Sequence, residues 1–219
     1  MSDLLNPTAE RQPERKSASH GEAGYERRPL DAYFTEPWVT RALIAAVDFR
    51  LPGYPEAVIW EPACGDGRMA KPLLAAGYRV HASDIADWGY GKPGVDFLHG
   101  PFLSGIGAVV TNPPFDQAVA FIERALEATQ VLCGKVAILQ RHEFDAPAKN
   151  HPLFNGHPDE GPFAAKLILH KRPRWSDEDK ASPRFPYAWY IFDWRHQGPP
   201  ILRYLPDPDK PAKATGVLL

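Results

Sequence analysis

The sequence predicts a single α/β domain on a doubly wound, mostly parallel sheet of seven strands, the final one antiparallel. Three observations predict it. Short apolar runs alternate with amphipathic stretches, as when strands and helices take turns in a parallel sheet. Two of the runs empty into unusual turns, Glu61-Pro62-Ala63-Cys64-Gly65-Asp66-Gly67 and Asn112-Pro113-Pro114-Phe115. And 44% of the 219 residues are hydrophobic, enough to bury a real core.

Residues 1–30 are rich in charge and poor in large apolar groups, so burial cannot offset their ordering entropy, and a disordered arm is expected there. The domain should then occupy residues 31–204, and the Pro- and Lys-rich residues 205–219 should form a disordered tail. The first helix is expected over Pro37 to Val47, with Thr35 as N-cap and Leu43, Ile44 and Val47 on one face. Ala57 to Trp60 reads as a buried strand. A helix from Arg68 to Ala76 follows, ended by Gly77, and Tyr78 to Ser83 form the next strand. A third strand should end at Asp96-Phe97, and Ala108 to Thr111 is a fourth. Asp116 is placed to cap the next helix, which shows Val119, Ile122, Ala125 and Leu126 at helical spacing. Lys135 to Leu139 is a fifth strand, and Ala165 to His170 and Tyr187 to Trp194 complete the sheet. Between them, residues 142–162 lack periodicity and read as a long functional loop, a candidate substrate-recognition insertion.

Composition excludes several classes. The formal net charge of −2 gives no long-range attraction to phosphate, so nucleic-acid binding would need a local basic patch. Two cysteines, Cys64 and Cys133, are too few for a disulfide scaffold or a four-ligand zinc site, and no metal is expected. No apolar run approaches the roughly eighteen residues of a membrane span, and no leader pattern opens the sequence, so a cytoplasmic location is expected.

Gly65 and Gly67 end a strand and open a helix, where the backbone can approach a ligand and unpaired N–H groups face it. Glu61 and Asp66 argue against a phosphate and for a ligand with a cationic or hydroxyl-bearing group. No lysine holds the phosphate-cradle position, which disfavours triphosphate hydrolysis. Asp84 lies seventeen positions after Gly67, close to the spacing of about twenty at which a carboxylate accepts bonds from a ribose diol. Asp96 and Phe97 are placed to pair with and stack on an adenine ring. A tight turn that binds nothing, a turn-capping Asp84 and a core Phe97 are the structural alternatives.

In the second turn, Pro113 and Pro114 fix an extended backbone and remove two donors, leaving carbonyls to accept, while Asn112 adds a side-chain oxygen acceptor. Together they can hold both hydrogens of an exocyclic amine and stabilise the positive charge that builds on nitrogen during alkylation. Phe115 offers a ring on which a planar base can stack. A plain strand-terminating turn is the alternative.

A local basic patch can be drawn from Lys166, Lys171, Arg172, Arg174, Lys180 and Arg184 with Arg141 and His142 nearby, and Trp175 among them is able to stack on an unpaired base; solvated surface is the alternative. Tyr187 to Trp194 is an aromatic strand, mostly core by period two.

Both turns together resemble the S-adenosylmethionine-dependent amino-methyltransferases, chiefly the DNA adenine N-6 group. Asp31-Ala32-Tyr33-Phe34-Thr35-Glu36-Pro37-Trp38 resembles their N-terminal cofactor motif, Tyr-x-Thr-Pro before a helix, with Glu36 inserted here. Ser182 to Tyr190 is similar to the Tyr-Ala-Trp-Phe segment of the small phage-type adenine enzymes, and the likeness spans residues 31 to about 195. It implies a Rossmann-like class I methyltransferase fold, S-adenosylmethionine as cofactor and DNA as partner, with no metal and no membrane. It also implies that Glu61, Ala63, Gly65, Asp66, Gly67 and Ile85 hold the cofactor, that Asp84 takes its ribose, and that Asp96 and Phe97 meet its adenine. Tyr33, Thr35 and Asn112 would lie near its methionine end, Asn112 to Phe115 would grip the target amine, and Tyr187 or Trp189 would close the base pocket. RNA, a protein glutamine amide, or a non-catalytic scaffold role are the alternatives. Such enzymes that read a sequence usually carry a separate recognition domain, and nothing here is long enough to be one.

Overall fold

The computed structural model describes residues 33–154, 162–175 and 185–209, so the predicted arm and most of the predicted tail lie outside the described residues. Seven strands form one sheet in the order β2-β1-β3-β4-β6-β5-β7: β1 Val58–Glu61, β2 Val80–Ala82, β3 Ile106–Thr111, β4 Lys135–Arg141, β5 Phe163–Leu169, β6 Tyr187–Asp193 and β7 Ile201–Leu205. β6 runs antiparallel to both its neighbours, and every other pairing is parallel. β3 is buried at all six positions, as a central strand covered on both faces must be.

α1 (Pro37–Ile44) and α2 (Ala70–Ala75) cover one face, placing Trp38, Val39, Leu43, Met69 and Leu73 against Ile59, Val110, Leu139 and Trp189. α3 (Ala118–Gln130) covers the other, and its buried Ala118, Phe121, Ile122, Ala125 and Thr129 follow the helical period onto Val109, Val136 and Phe192. Parallel β1, β2, β3 and β4 all end on the same edge of the sheet, and antiparallel β6 begins there, since Tyr187 pairs with Arg141. One edge therefore collects Glu61, Asp84, Asn112, Arg141 and Tyr187.

Several expectations are corrected. No strand forms near Asp96-Phe97; beyond β2 there is only an isolated parallel bridge of Ser83 with Lys92, flanked by Gly89, Gly91 and Gly94 at positive φ and by Pro93. The seventh strand is instead β7, foreseen by no sequence signal because its outer residues Ile201, Leu202 and Tyr204 are exposed. α1 stops at Ile44 and begins at Pro37, with Glu36 at the N-cap position, so Thr35 does not cap it. Asp116 falls in a 3-10 turn (Phe115–Gln117) and caps nothing. Within the expected long loop, a 3-10 turn (Ala148–Asn150) and α4 (His151–Phe154) form, and Phe144 and Phe154 pack edge-on against each other over Tyr190. No helix among the described residues is long and apolar enough to cross a membrane.

Candidate functional site

The glycine turn is shaped by Gly65 (φ 50°) and Gly67 (φ 81°), conformations that favour glycine. They are also close approaches: a Cβ on Gly65 would stand 2.6 Å from Phe34 Cδ1, and one on Gly67 2.5 Å from Tyr90 Cδ1. Asp84, only 7% exposed, braces the turn. Its Oδ2 accepts the Gly65 N–H at 3.0 Å, and its Oδ1 accepts the Ala86 N–H at 3.0 Å and the Trp88 indole N–H at 3.1 Å. Three donors on a carboxylate with about four lone-pair positions leave room for one more. Asp66 accepts from its own turn, through Arg68 N–H at 3.2 Å and Arg68 Nε at 2.8 Å.

Glu61 ends β1 fully buried, and its Oε2 has no hydrogen-bond partner among the described residues. Burial, reinforced by the carboxylates of Asp84 and Asp66, pushes its carboxyl well above the ordinary range. The same burial, with Glu61 and Asp84 nearby, raises the Cys64 thiol to about 12, so Cys64 is an inert packing group.

Asn112 follows β3. Its amide nitrogen donates to the Tyr33 carbonyl at 3.1 Å and to Thr35 Oγ1 at 3.2 Å. A backbone carbonyl can only accept, so the amide orientation is fixed, and Oδ1 is left buried and without a partner among the described residues. Thr35, read from sequence as a helix cap, thus serves as an anchor for this amide. The Pro114 carbonyl accepts Gln117 N–H at 3.0 Å, closing the 3-10 turn that carries Phe115.

Beside Asn112 stands a group of rings. Phe115 stacks on Tyr33 (centroids 5.4 Å apart, 28°) and tilts against Tyr187 at 6.1 Å, and Trp175 meets Tyr187 edge-on at 4.7 Å and Tyr33 at 6.2 Å. Arg141 lies over Phe185 at 4.0 Å and over Phe115 at 5.9 Å. Burial raises the Tyr187 hydroxyl to about 12 against the opposing effect of Arg141. Trp175 therefore belongs to this ring group rather than to a surface patch. Trp189, by contrast, is fully buried in the core and donates its indole N–H to the Val39 carbonyl at 3.2 Å, so it backs the wall without lining it.

Between the two turns runs a cleft of about 530 Å³, lined by Tyr33, Phe34, Ala63, Gly65, Asp84, Ile85, Trp88, Asp96, Phe97 and Asn112, among others; a smaller one of about 20 Å³ lies beside Glu61 and Asn112. Ile85 is 60% exposed on the cleft wall. Phe97 borders it but is 3% exposed, packed edge-on against Trp60 at 4.9 Å and tilted on Phe121 at 5.1 Å, so its ring is a core ring. Asp96 accepts the Leu98 and His99 N–H groups and faces His99 Nδ1 at 3.0 Å; these bonds, His99 foremost, hold its carboxyl below the ordinary range.

Several of the described basic residues face acidic partners, while Lys180 and Arg184 lie outside the described residues. Lys166 is paired with Asp145 at 2.7 Å and Lys171 with Asp207 at 3.6 Å, and His142 faces Glu143 at 2.7 Å. Arg172 and Arg174 are exposed on the segment after β5. Sequence reasoning missed Phe34, Trp88, Tyr90 and Glu36. The first three are aromatics beside the glycine turn or the strand-end carboxylate, and their only signal is adjacency to those motifs.

The fold has known counterparts. It is similar to a Listeria monocytogenes protein assigned as a class I S-adenosylmethionine-dependent methyltransferase (TM-score 0.60, 14% identity, 81% of this chain and 67% of that one). It is also similar to the methyltransferase subunit of a type I restriction-modification system from Streptococcus thermophilus (TM-score 0.53, 13% identity, 75% of this chain and 45% of that one). At these identities the likeness is one of fold: the chain has the class I methyltransferase fold and spans less than half of the second protein. No protein-family model and no curated protein sequence matches the chain.

Proposed function

We propose that this protein transfers a methyl group from S-adenosylmethionine to the exocyclic N-6 amine of adenine in DNA. The observation that carries the reading is Asn112, whose amide nitrogen is tied down twice while its buried Oδ1 stays open beside a group of aromatic rings. A scaffold has no use for an acceptor held in this way, whereas an amine donor has.

The cleft fits the cofactor. The orphaned Oε2 of Glu61 suits the ammonium of the amino-acid end, the Gly65 and Gly67 backbone admits close approach, and the remaining lone pair of Asp84 suits a ribose hydroxyl. Ile85, exposed on the cleft wall, offers an apolar contact to the cofactor, and Asp96, which lines the same cleft, suits its adenine. S-adenosylmethionine supplies an electrophilic methyl group on a sulfonium. Asn112 Oδ1 and the Pro113 carbonyl accept the two hydrogens of the target amine, which draws its lone pair out of conjugation and stabilises the charge that develops on nitrogen. Phe115, with Tyr33, Tyr187 and Trp175 around it, holds the base, and positioning contributes most of the acceleration. The sulfur–methyl bond breaks as the nitrogen–methyl bond forms, the thioether leaves with the electron pair, and the extra proton on nitrogen passes to water after attack, so no general base of low pKa is needed before it, which suits a site whose acceptor is a neutral amide.

The test is transfer of labelled methyl to unmethylated duplex DNA, to RNA and to total protein in parallel, with Asn112→Ala beside the native protein. Label recovered as N-6-methyladenine in DNA, reduced about 10²–10³-fold by Asn112→Ala, is expected. Label in RNA or protein keeps the chemistry and overturns the substrate. Label in no pool overturns the enzymatic reading.

A further inference from the structure

We infer that Glu36 is a positioning residue: it clasps the segment bearing Trp175 and so fixes the outer wall of the base pocket, governing capture of the nucleotide rather than of the cofactor. The inference rests on the methyltransfer reading above. Glu36 stands at the N-cap position of α1, where a carboxylate would ordinarily serve its own helix, yet it makes no capping bond. Its Oε2 accepts instead the backbone N–H of Arg174 at 2.7 Å, 138 positions away in the chain, and the indole N–H of Trp38 at 3.0 Å.

The bond to Arg174 matters because of what surrounds it. The pairing of β5 with β7 closes at His170 N–H to the Leu205 carbonyl, and Pro173 has no N–H to offer. Charge-assisted bonds to backbone N–H groups are about twice as strong as neutral ones, so Glu36 tethers the Trp175 end of a segment whose other end is held by Lys171, paired with Asp207 at 3.6 Å and set over the Trp38 ring. The next residue, Trp175, sets its ring edge-on to Tyr187 and Tyr33, beside the Phe115 on which the base would stack.

Residues 33–36 therefore face two ways. The Tyr33 carbonyl and the Thr35 hydroxyl set the Asn112 amide, where the chemistry occurs, and Glu36 sets the ring at the pocket rim. Loss of Glu36 alone should loosen the rim and leave the amide in place, which separates substrate affinity from turnover.

The experiment compares the native full chain with Glu36→Ala, Glu36→Gln, and Arg174→Pro set against Arg174→Ala. Three quantities are read: hydrogen exchange over residues 171–175, S-adenosylmethionine affinity, and kcat and KM on an adenine-containing duplex oligonucleotide. Glu36→Ala should speed exchange at the Arg174 amide and raise KM for the oligonucleotide, each about tenfold, with kcat and cofactor affinity within about twofold of native. Glu36→Gln keeps an oxygen acceptor and should recover most of both. Arg174→Pro removes the donor without touching Trp38, so it should exceed Arg174→Ala in its effect on KM. Unchanged exchange in Glu36→Ala overturns the clasp. A fall in kcat or cofactor affinity equal to the rise in KM overturns the division of labour, as does Arg174→Pro matching Arg174→Ala. If the native protein methylates no nucleic acid, the methyltransfer reading fails and the pocket role with it, while exchange at Arg174 still decides the clasp.

Discussion

Glu61→Gln should move stability and ligand affinity in opposite directions. The native carboxyl is buried with an Oε2 unpartnered among the described residues, and burial together with Asp84 and Asp66 raises its pKa in the folded state well above the ordinary carboxylate range. With the folded pKa above the unfolded one, the folded protein retains a proton that the unfolded chain has released. The stability associated with that proton is complete below about pH 4.5 and is lost as pH rises through the folded pKa, at up to about 1.4 kcal/mol per pH unit. A glutamine does not titrate, so the stability of Glu61→Gln relative to native should grow with pH across this window and then level off. Asp48, held low chiefly by the Arg50 N–H, and His81, lowered by burial, titrate in both proteins and cancel in the difference. With S-adenosylmethionine at about 100 times its Kd, the native protein should gain about 2.7 kcal/mol. Binding of the ammonium displaces the Glu61 proton to solvent and leaves a charged pair that the variant cannot form, so the variant should bind about 10–100-fold more weakly. Urea denaturation at pH 5, 6, 7 and 8, with and without the cofactor, reads both effects. Parallel stability curves for the two proteins, or equal stabilisation by the cofactor, would refute the reasoning.

Thr35→Val keeps the side-chain shape but removes one of the two acceptors that hold the Asn112 amide; single-turnover methyl transfer should fall about tenfold while Thr35→Ser stays near native, the equivalent of about 1.4 kcal/mol of positioning. Gly65→Ala puts a Cβ at 2.6 Å from Phe34 Cδ1 with the backbone at φ 50°. The ring can yield, so the protein should fold with a loss of about 1 kcal/mol, and calorimetry should show cofactor affinity reduced at least about tenfold. Trp189→Phe removes the indole bond to the Val39 carbonyl and leaves a void in the core; urea denaturation should register about 2–3 kcal/mol of lost stability with cofactor affinity unchanged. Weaker oligonucleotide binding without a stability loss would return Trp189 to the pocket.

The central strands were legible because their buried positions are apolar except near the strand ends, where Glu61, Thr111 and Gln140 are buried. β3 is buried throughout and reads as an uninterrupted apolar run, and the two turns that follow β1 and β3 stand out against such runs. The sheet edges were not. β7 buries only Leu205 of its five residues and so carries no one-sided pattern, and it follows Pro199 and Pro200, which read as a break. At the other edge the expected third strand is reduced to one bridge because its glycines and Pro93 interrupt the ladder. Aromatic residues were the other difficulty. Phe97, Trp175 and Trp189 were all read as ring candidates for the site, yet Phe97 packs in the core beside the cleft, Trp175 packs half-buried on Tyr33 and Tyr187, and Trp189 is fully buried in β6. Long-range packing distinguishes them, and a local sequence does not specify it.

The inserted Glu36 shows how a departure from a familiar motif can carry information. One extra residue before Pro37 shifts the start of α1, so that the N-cap position passes from Thr35 to Glu36. The hydroxyl is thereby released to face Asn112, and the carboxylate is carried outward to a chain segment that follows β5. Lys171 on that segment also lies over the Trp38 ring at 4.8 Å, and pairs with Asp207 beyond β7. The opening of α1, the exit of β5 and the chain beyond β7 are thus linked through side chains of low sequence conspicuousness. A chain with the threonine next to the proline would cap its helix conventionally and would lack this connection, so the rim of its pocket would have to be held by other contacts.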